Sequence, residues 1–258
     1  MSDVYQTPQA DFNEPSNQSD QYGSIEQALA GNYSINVGDI LSEAWNLTKG
    51  AKLKFHLAFL IYFIAYLVVM FVVSFVLGLV GITTPTAGDP SFDVIGMILL
   101  QTVLSTVLIT FATAPLWTGV MYMGVQRSVG EQLKASTILN YFYAIVPLGI
   151  AYLIMYLLTT IGFLLLIIPG IYLAISYSMA LLLILDKGMS PWQALETSRK
   201  AVTKHWFSLF GLFLVMMLVN ILGAIPLGLG WIWTFPLSII AYGAAYRNMF
   251  GYSAKQNN

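Results

Sequence analysis

Cysteine is missing from all 258 residues, and charge is scarce, with Asp, Glu, Lys and Arg together making up 9% of the chain. Without cysteine there are no disulfides, thiolate metal sites, iron–sulfur clusters or cysteine nucleophiles. The two histidines, His56 and His205, are far apart in sequence, so a histidine-rich metal site is not expected either. Soluble domains carry about 25% charged residues. With 57% hydrophobic residues and a mean hydropathy of +0.73, a soluble fold of this length has nowhere to hide its apolar surface, and lipid is the solvent that accepts it. The net charge of −1 supplies no global field to recruit nucleic acid.

The first 32 residues hold five acidic residues (Asp3, Asp11, Glu14, Asp20, Glu26), no Lys or Arg, and much Gln, Asn, Ser and Pro. Such a segment buries too little apolar area to offset the entropy of ordering, so most of it is expected to be disordered. One short helix is expected at Ile25–Ala30, with Ser24 and Gln27 in capping-box spacing and Gly31 as its stop. The tail has no basic n-region before an early apolar run, so no cleavage is expected and the apolar run from Phe55 reads as an internal signal anchor. A second helix is expected from Val37 to about Lys52, capped by Asn36. Its apolar face of Val37, Ile40, Leu41, Ala44, Trp45 and Thr48, followed by lysines, suits the membrane interface.

Four long stretches then lack Asp, Glu, Lys and Arg: Phe55–Gly88, Val94–Gln126, Tyr141–Leu185 and His205–Tyr246. A span needs roughly 20 residues. Ile168-Pro169-Gly170 and Ile225-Pro226-Leu227-Gly228 divide the last two stretches, because proline lacks an N–H and glycine permits a tight turn. Six spans result. All 11 basic residues then fall on one side, and the opposite loops carry Asp89 and Asp93, so both termini are expected in the cytoplasm.

A weak internal repeat runs alongside this pattern. Ala44–Ala51 and Ala194–Ala201 agree in residue type at five of eight positions, and Val129-Gly130-Glu131 echoes Val37-Gly38-Asp39. Two readings stay open: three copies of an interfacial helix followed by a membrane hairpin, or convergent composition.

No predicted span carries a charged residue in its interior, which argues against proton relays, carboxylate-coupled transport and acid–base catalysis within the bilayer. The strongest polar feature is the face formed by Thr102, Thr106, Thr110 and Thr113, with Gln101 and Ser105 nearby. It reads as a hydroxyl-lined path, or as hydroxyls bonded to carbonyls one turn back. Asn220 reads as an interhelical hydrogen bond. In the cytoplasmic segment 186–205, Ser190-Pro191-Trp192-Gln193 has the pattern of an N-cap, first-turn proline, aromatic anchor and capping-box partner. Arg199, Lys200 and Lys204 are candidates for anionic headgroup binding, or plain topology determinants. Asp186, Glu196 and His205 are the local acid–base groups, and catalysis by them is not expected. The abundant Trp and Tyr read as an interfacial belt.

The segments Ile167-Ile168-Pro169-Gly170-Ile171, Asp186–Leu195 and Ser198-Arg199-Lys200-Ala201-Val202-Thr203 resemble bacterial six-span inner-membrane proteins of the YciC-like class. They also resemble the related membrane domain of glycerophosphoryl diester phosphodiesterases. The likeness covers about 141–246. Tyr5-Gln6-Thr7-Pro8-Gln9-Ala10-Asp11 also looks like a tag at the start of various bacterial membrane proteins. The resemblance implies a bacterial cytoplasmic-membrane address and little chemistry, since the six-span class has no settled activity, and no catalytic residue is expected from the phosphodiesterase side, whose acidic metal motifs the sequence does not show.

The expectation is therefore an all-α polytopic bundle with cytoplasmic interfacial helices. Residues 1–34 form a polar cytoplasmic tail, 35–252 a six-span domain (spans about 55–81, 95–125, 142–167, 170–185, 206–225 and 228–246), and 253–258 a cytoplasmic C-terminal tail. The function expected is a non-enzymatic accessory or scaffold in envelope or lipid homeostasis, the alternative being a channel or transporter for an uncharged or lipid-like substrate. No cofactor or metal is expected. The partners are membrane lipids, and other membrane proteins met through the cytoplasmic face and N-terminal tail.

Overall fold

The computed structural model describes residues 22–82 and 92–253, with the side chains of Phe92 and Asp93 outside that description. The Tyr5–Asp11 motif, the acidic residues 3–20, Asp89 and Lys255 also lie outside the described residues. The described chain is helical: α1 (Ile25–Ala30), α2 (Val37–Leu47), α3 (Lys52–Leu79), α4 (Phe92–Ser128), a 3-10 segment (Ala135–Ala144), α5 (Ile145–Leu165), α6 (Ile167–Ser176), α7 (Ala180–Lys187), α8 (Pro191–Lys204), α9 (Trp206–Ala224) and α10 (Trp231–Phe250). A short helix therefore precedes each long pair: α2 before α3–α4, the 3-10 segment before α5–α6, and α8 before α9–α10.

Local chemistry explains the ends. Ser24 Oγ accepts from Gln27 N at 3.2 Å to start α1, and Asn36 Oδ1 accepts from Gly38 N and Asp39 N to start α2. The second helix stops at Leu47, short of the expected Lys52. Gly50 at φ 74 turns the chain there, a conformation that costs a side chain energy, and α3 starts afresh at Lys52. The break in the 141–185 stretch falls at Leu166, an extended residue, and not at Ile168-Pro169-Gly170. Pro169 is the third residue of α6, where an N–H has no intrahelical partner, so it starts that helix at no cost. Ser190 takes the N-cap position of α8 but its side chain makes no capping hydrogen bond, so the expected capping box is absent. Pro191 does occupy the first turn.

Five helices are long and apolar enough to cross a membrane among the described residues: Lys52–Leu79, Val94–Ser128, Ala135–Leu165, Ile167–Lys187 and Trp206–Ala224. The sixth expected span corresponds to α10, which is not among them. Their outer faces carry large exposed apolar side chains, such as Phe71, Leu79, Leu157 and Leu218. The protein is a multi-pass helical membrane protein.

One half of the molecule is densely packed. Leu182 and Leu183 of α7 and Ile240, Ala241, Ala244 and Tyr246 of α10 are fully buried. The tightest crossing is α4 on α10. A Cβ on Gly124 would lie 2.1 Å from the Ile239 carbonyl oxygen, and one on Gly243 would lie 2.1 Å from the Gly124 carbonyl carbon, so only glycine permits this approach. Residues 22–34, grouped by composition with the polar tail, are docked. Ala28 is fully buried, Tyr33 Oη donates to the Ala201 carbonyl at 2.8 Å, and His205 Nε2 lies 3.0 Å from the Gly31 carbonyl oxygen.

The short helices turn their apolar faces to protein. Ile40, Ala44 and Thr48 are buried on α2, which packs on α10, and Ala194, Leu195, Ser198, Ala201 and Val202 are buried on α8, which packs on α5, α6 and α7. Trp45, expected on the apolar face of α2, is 50% exposed. The amphipathic pattern was legible, but its partner is α10.

Candidate functional site

Three helices, α3, α4 and α5, part in the apolar half to leave a cleft of about 490 Å³. Ligand pockets span roughly 300–1,000 Å³. Thr106, Thr110 and Thr113 line one wall with Ser105. Tyr62 and Tyr66 of α3 and Tyr152 and Tyr156 of α5 face them, and Trp117 closes the inner end, 5.3 Å from the Tyr62 ring. Each tyrosine pair is spaced by four residues, which puts both rings on one helix face. The tyrosines and Trp117, read from sequence as an interfacial belt, are here the walls of a site. The i, i+4 tyrosine spacing was the available signal.

The threonine face divides. Thr102 donates to the Ile98 carbonyl at 2.7 Å and Thr113 to the Ile109 carbonyl at 2.8 Å, each one turn back. Thr102 is exposed and does not line the cleft. The hydroxyls of Thr106, Thr110, Tyr62, Tyr66, Tyr152 and Tyr156 make no hydrogen bond to another described residue. Hydroxyls in an apolar solvent without partners are costly. Six of them around one cleft form a surface that a polar guest would satisfy. Tyr156 is exposed and the other three tyrosines are half-buried, so the cleft opens at the molecular surface.

Below Trp117 and Tyr152 lies a smaller cavity of about 190 Å³, bordered by Thr118, Ser178 and Tyr242. Tyr242 Oη donates to the Ser178 carbonyl. Under it, the Asp186 side chain is wholly buried and accepts from Tyr122 Oη and Tyr246 Oη, each at 2.9 Å, and from Ser253 N at 3.1 Å. Lys187 Nζ pairs with it at 3.1 Å. Arg247, also buried, pairs with Glu43 at 2.6 Å and donates to the Ser128 carbonyl. These charges sit at helix ends, so the span interiors hold none, yet both are inside protein. Burial and a bond to Glu131 push the Tyr252 phenol above its ordinary value.

The other sequence candidates are dispersed. Arg199 chelates Glu196 through Nε at 3.0 Å and Nη2 at 2.8 Å, and Lys200 joins at 3.2 Å. The Arg199 hydrogen bonds first, and Lys200 after burial's small opposing effect, lower Glu196 to about 2. Lys204 packs its stem against Gly31. Asn220 makes the expected interhelical bond, Nδ2 to Ser238 Oγ at 2.6 Å. Asp186, Glu196 and His205 belong to three separate networks. Among the described residues no group of three His, Cys, Asp or Glu could hold a metal. No family model, curated protein or solved structure matches the chain.

Proposed function

We propose that this protein is a non-enzymatic binding protein of the bacterial cytoplasmic membrane that takes the neutral, hydroxyl- or carbonyl-bearing part of a lipid-like molecule into the α3–α4–α5 cleft. The observation that carries this reading is the set of six hydroxyls without hydrogen-bond partners among the described residues, in a surface-open cleft of about 490 Å³. A charged guest would find no counter-ion among the described residues there, since no Asp, Glu, Lys or Arg of these lines the cleft. A neutral amphiphile gains hydrogen bonds from its polar part and keeps its chains in lipid. Acid–base groups are tied up elsewhere, in the Asp186, Glu196 and Arg247 pairs, which favours binding over catalysis.

Kinship with the YciC-like class, a role in envelope or lipid homeostasis, and contacts with other membrane proteins through the cytoplasmic face belong to the same proposal. So does the orientation. In the order of the elements, Lys49, Lys52, Lys54, Arg127, Lys134, Lys187, Arg199, Lys200, Lys204 and Arg247 fall on one side of the expected spans, and the positive-inside rule would make that side, with both termini, cytoplasmic. With Glu196 paired, Arg199, Lys200 and Lys204 leave a net charge of 3 − 1 = +2 on this face of α8, suited to anionic headgroups. The cleft favours binding over an open channel, because Trp117 and Tyr152 close its inner end and Met123, Leu182 and Tyr246 below are fully buried.

Native mass spectrometry of the protein released from nanodiscs tests the reading. Wild-type protein retains a neutral or zwitterionic lipid. The Tyr62→Phe/Tyr152→Phe and Thr106→Val/Thr110→Val variants, which remove hydroxyls at nearly constant volume, fold and lose that adduct. Equal retention by all three proteins refutes it.

A further inference from the structure

From the depth of its turn, we infer that the α9–α10 hairpin does not cross the membrane but enters and leaves by the face that carries Lys52, its apolar turn lying among the acyl chains of that leaflet. The turn's depth is fixed by what it touches. Ala224 and Trp231, the last and first residues of the two arms, share one groove with His56 and Phe59 of α3. The Phe235 ring lies 5.0 Å from that of Phe59 and 5.8 Å from that of His56. Lys52 Nζ sits 5.0 Å from the Trp233 ring. The turn end of the hairpin is therefore level with the first two turns of α3.

From Phe59, α3 continues for 20 residues to Leu79, about 30 Å. Residues 225–230 separate the two arms, and three residues out and three back reach at most about 10 Å. Some 20 Å of α3 thus extends past the turn. A hydrocarbon core is about 30 Å thick. With Lys52 and Lys54 at the headgroups, the turn stops roughly at mid-bilayer.

The chemistry of the turn agrees. Leu227 is 98% exposed and Ile225 72%, and Leu229 and Trp231 are more than half exposed. A water-facing turn would waste this apolar surface, whereas in lipid it is solvated. The charge pattern is neutral on the question. A hairpin that returns through either leaflet brings Arg247 back to the same side, so the positive-inside rule holds for both.

The partner of this surface is a single lipid leaflet. The groove of about 520 Å³ between the hairpin and α3 is apolar apart from Asn220 and His56, and acyl chains of that leaflet fill it while Lys52 and Lys54 meet the headgroups. The hairpin acts as a wedge that adds volume to one leaflet.

Cysteine labelling tests the wedge, since the native chain has no cysteine. Leu227→Cys and Leu229→Cys replace exposed side chains, and Ile82→Cys at the end of α3 serves as the far-side reference. In reconstituted vesicles of both orientations, an impermeant maleimide labels Ile82→Cys from the far face and leaves Leu227→Cys and Leu229→Cys at the background of the parent. Coupled to membrane-permeant bimane, the two turn cysteines are quenched most by lipids brominated near the chain ends. Labelling of either turn cysteine from the far face at the rate of Ile82→Cys, or stronger quenching by headgroup quenchers than by chain-end bromines, overturns the inference.

Discussion

Two tyrosine hydroxyls, a backbone N–H and a lysine converge on the Asp186 carboxylate, which has no access to solvent. Removing one partner of a buried charge leaves the other partners unpaired and costs about 3–5 kcal/mol. Asp186→Asn keeps the shape and loses the charge, so a large fall in the detergent unfolding temperature is expected. Tyr246→Phe removes one hydrogen bond to a charged group, worth about 1.5–3 kcal/mol, and a smaller fall is expected. An Asp186→Asn variant as stable as the parent would show that Asp186 is dispensable to the fold. Glu196 behaves differently because it is only half-buried, at the surface of α8. A carboxylate held low by its partners contributes stability above its ordinary 4.5 and loses it as pH falls through about 2. Protection of the α8 amides, taken relative to intrinsic exchange at each pH, is therefore expected to be constant from about pH 8 to about pH 5 and to fall only in stronger acid. A loss of protection already near pH 5 contradicts the pairing.

At the scale of elements, the α4–α10 crossing and the docking of α8 are the sensitive points. Gly243→Leu has no room beside the Gly124 backbone, so loss of folded yield is expected, whereas Gly96→Leu, with nothing within 4 Å, is tolerated. Size-exclusion profiles of the two variants decide it, and a monodisperse Gly243→Leu protein refutes the close approach. On α8, Leu195→Asp places a carboxylate against α5–α7 at a cost of about 1–3 kcal/mol or more, while Lys200→Ala on the exposed face costs little. Equal protease sensitivity would mean that α8 is not docked. Much of this level was legible in sequence: the α1 and α2 starts, both proline-marked breaks to within a few residues, and Asn220's role follow from local capping, proline and hydroxyl chemistry. What escaped was tertiary. Amphipathicity says that α2 and α8 bury a face, but not whether lipid or neighbouring helices cover it. Half of the cleft was visible as the threonine face. The other half required knowing that Tyr62 and Tyr152, some 90 residues apart, face the same gap.

For the whole molecule, helical class and membrane placement follow from hydropathy and charge alone, because each residue's transfer cost is local. Depth does not, since an apolar hairpin reads the same whether it crosses a bilayer or turns back. The protein combines a packed, charge-buffered base with an apolar half in which one hydroxyl-lined cleft opens outward. A protein of this kind has no carboxylate in its cleft to carry protons, so an imposed pH gradient is expected neither to drive uptake into proteoliposomes nor to be dissipated by them. Gradient-driven accumulation would move the chemistry to the Asp186 network. The most direct test of the binding claim is electron cryomicroscopy of the protein in lipid nanodiscs. The account predicts elongated density between α3, α4 and α5, its polar end within hydrogen-bonding distance of Thr106, Thr110 or Tyr152. A cleft collapsed so that the tyrosine and threonine hydroxyls bond one another, with no density between them, would contradict it.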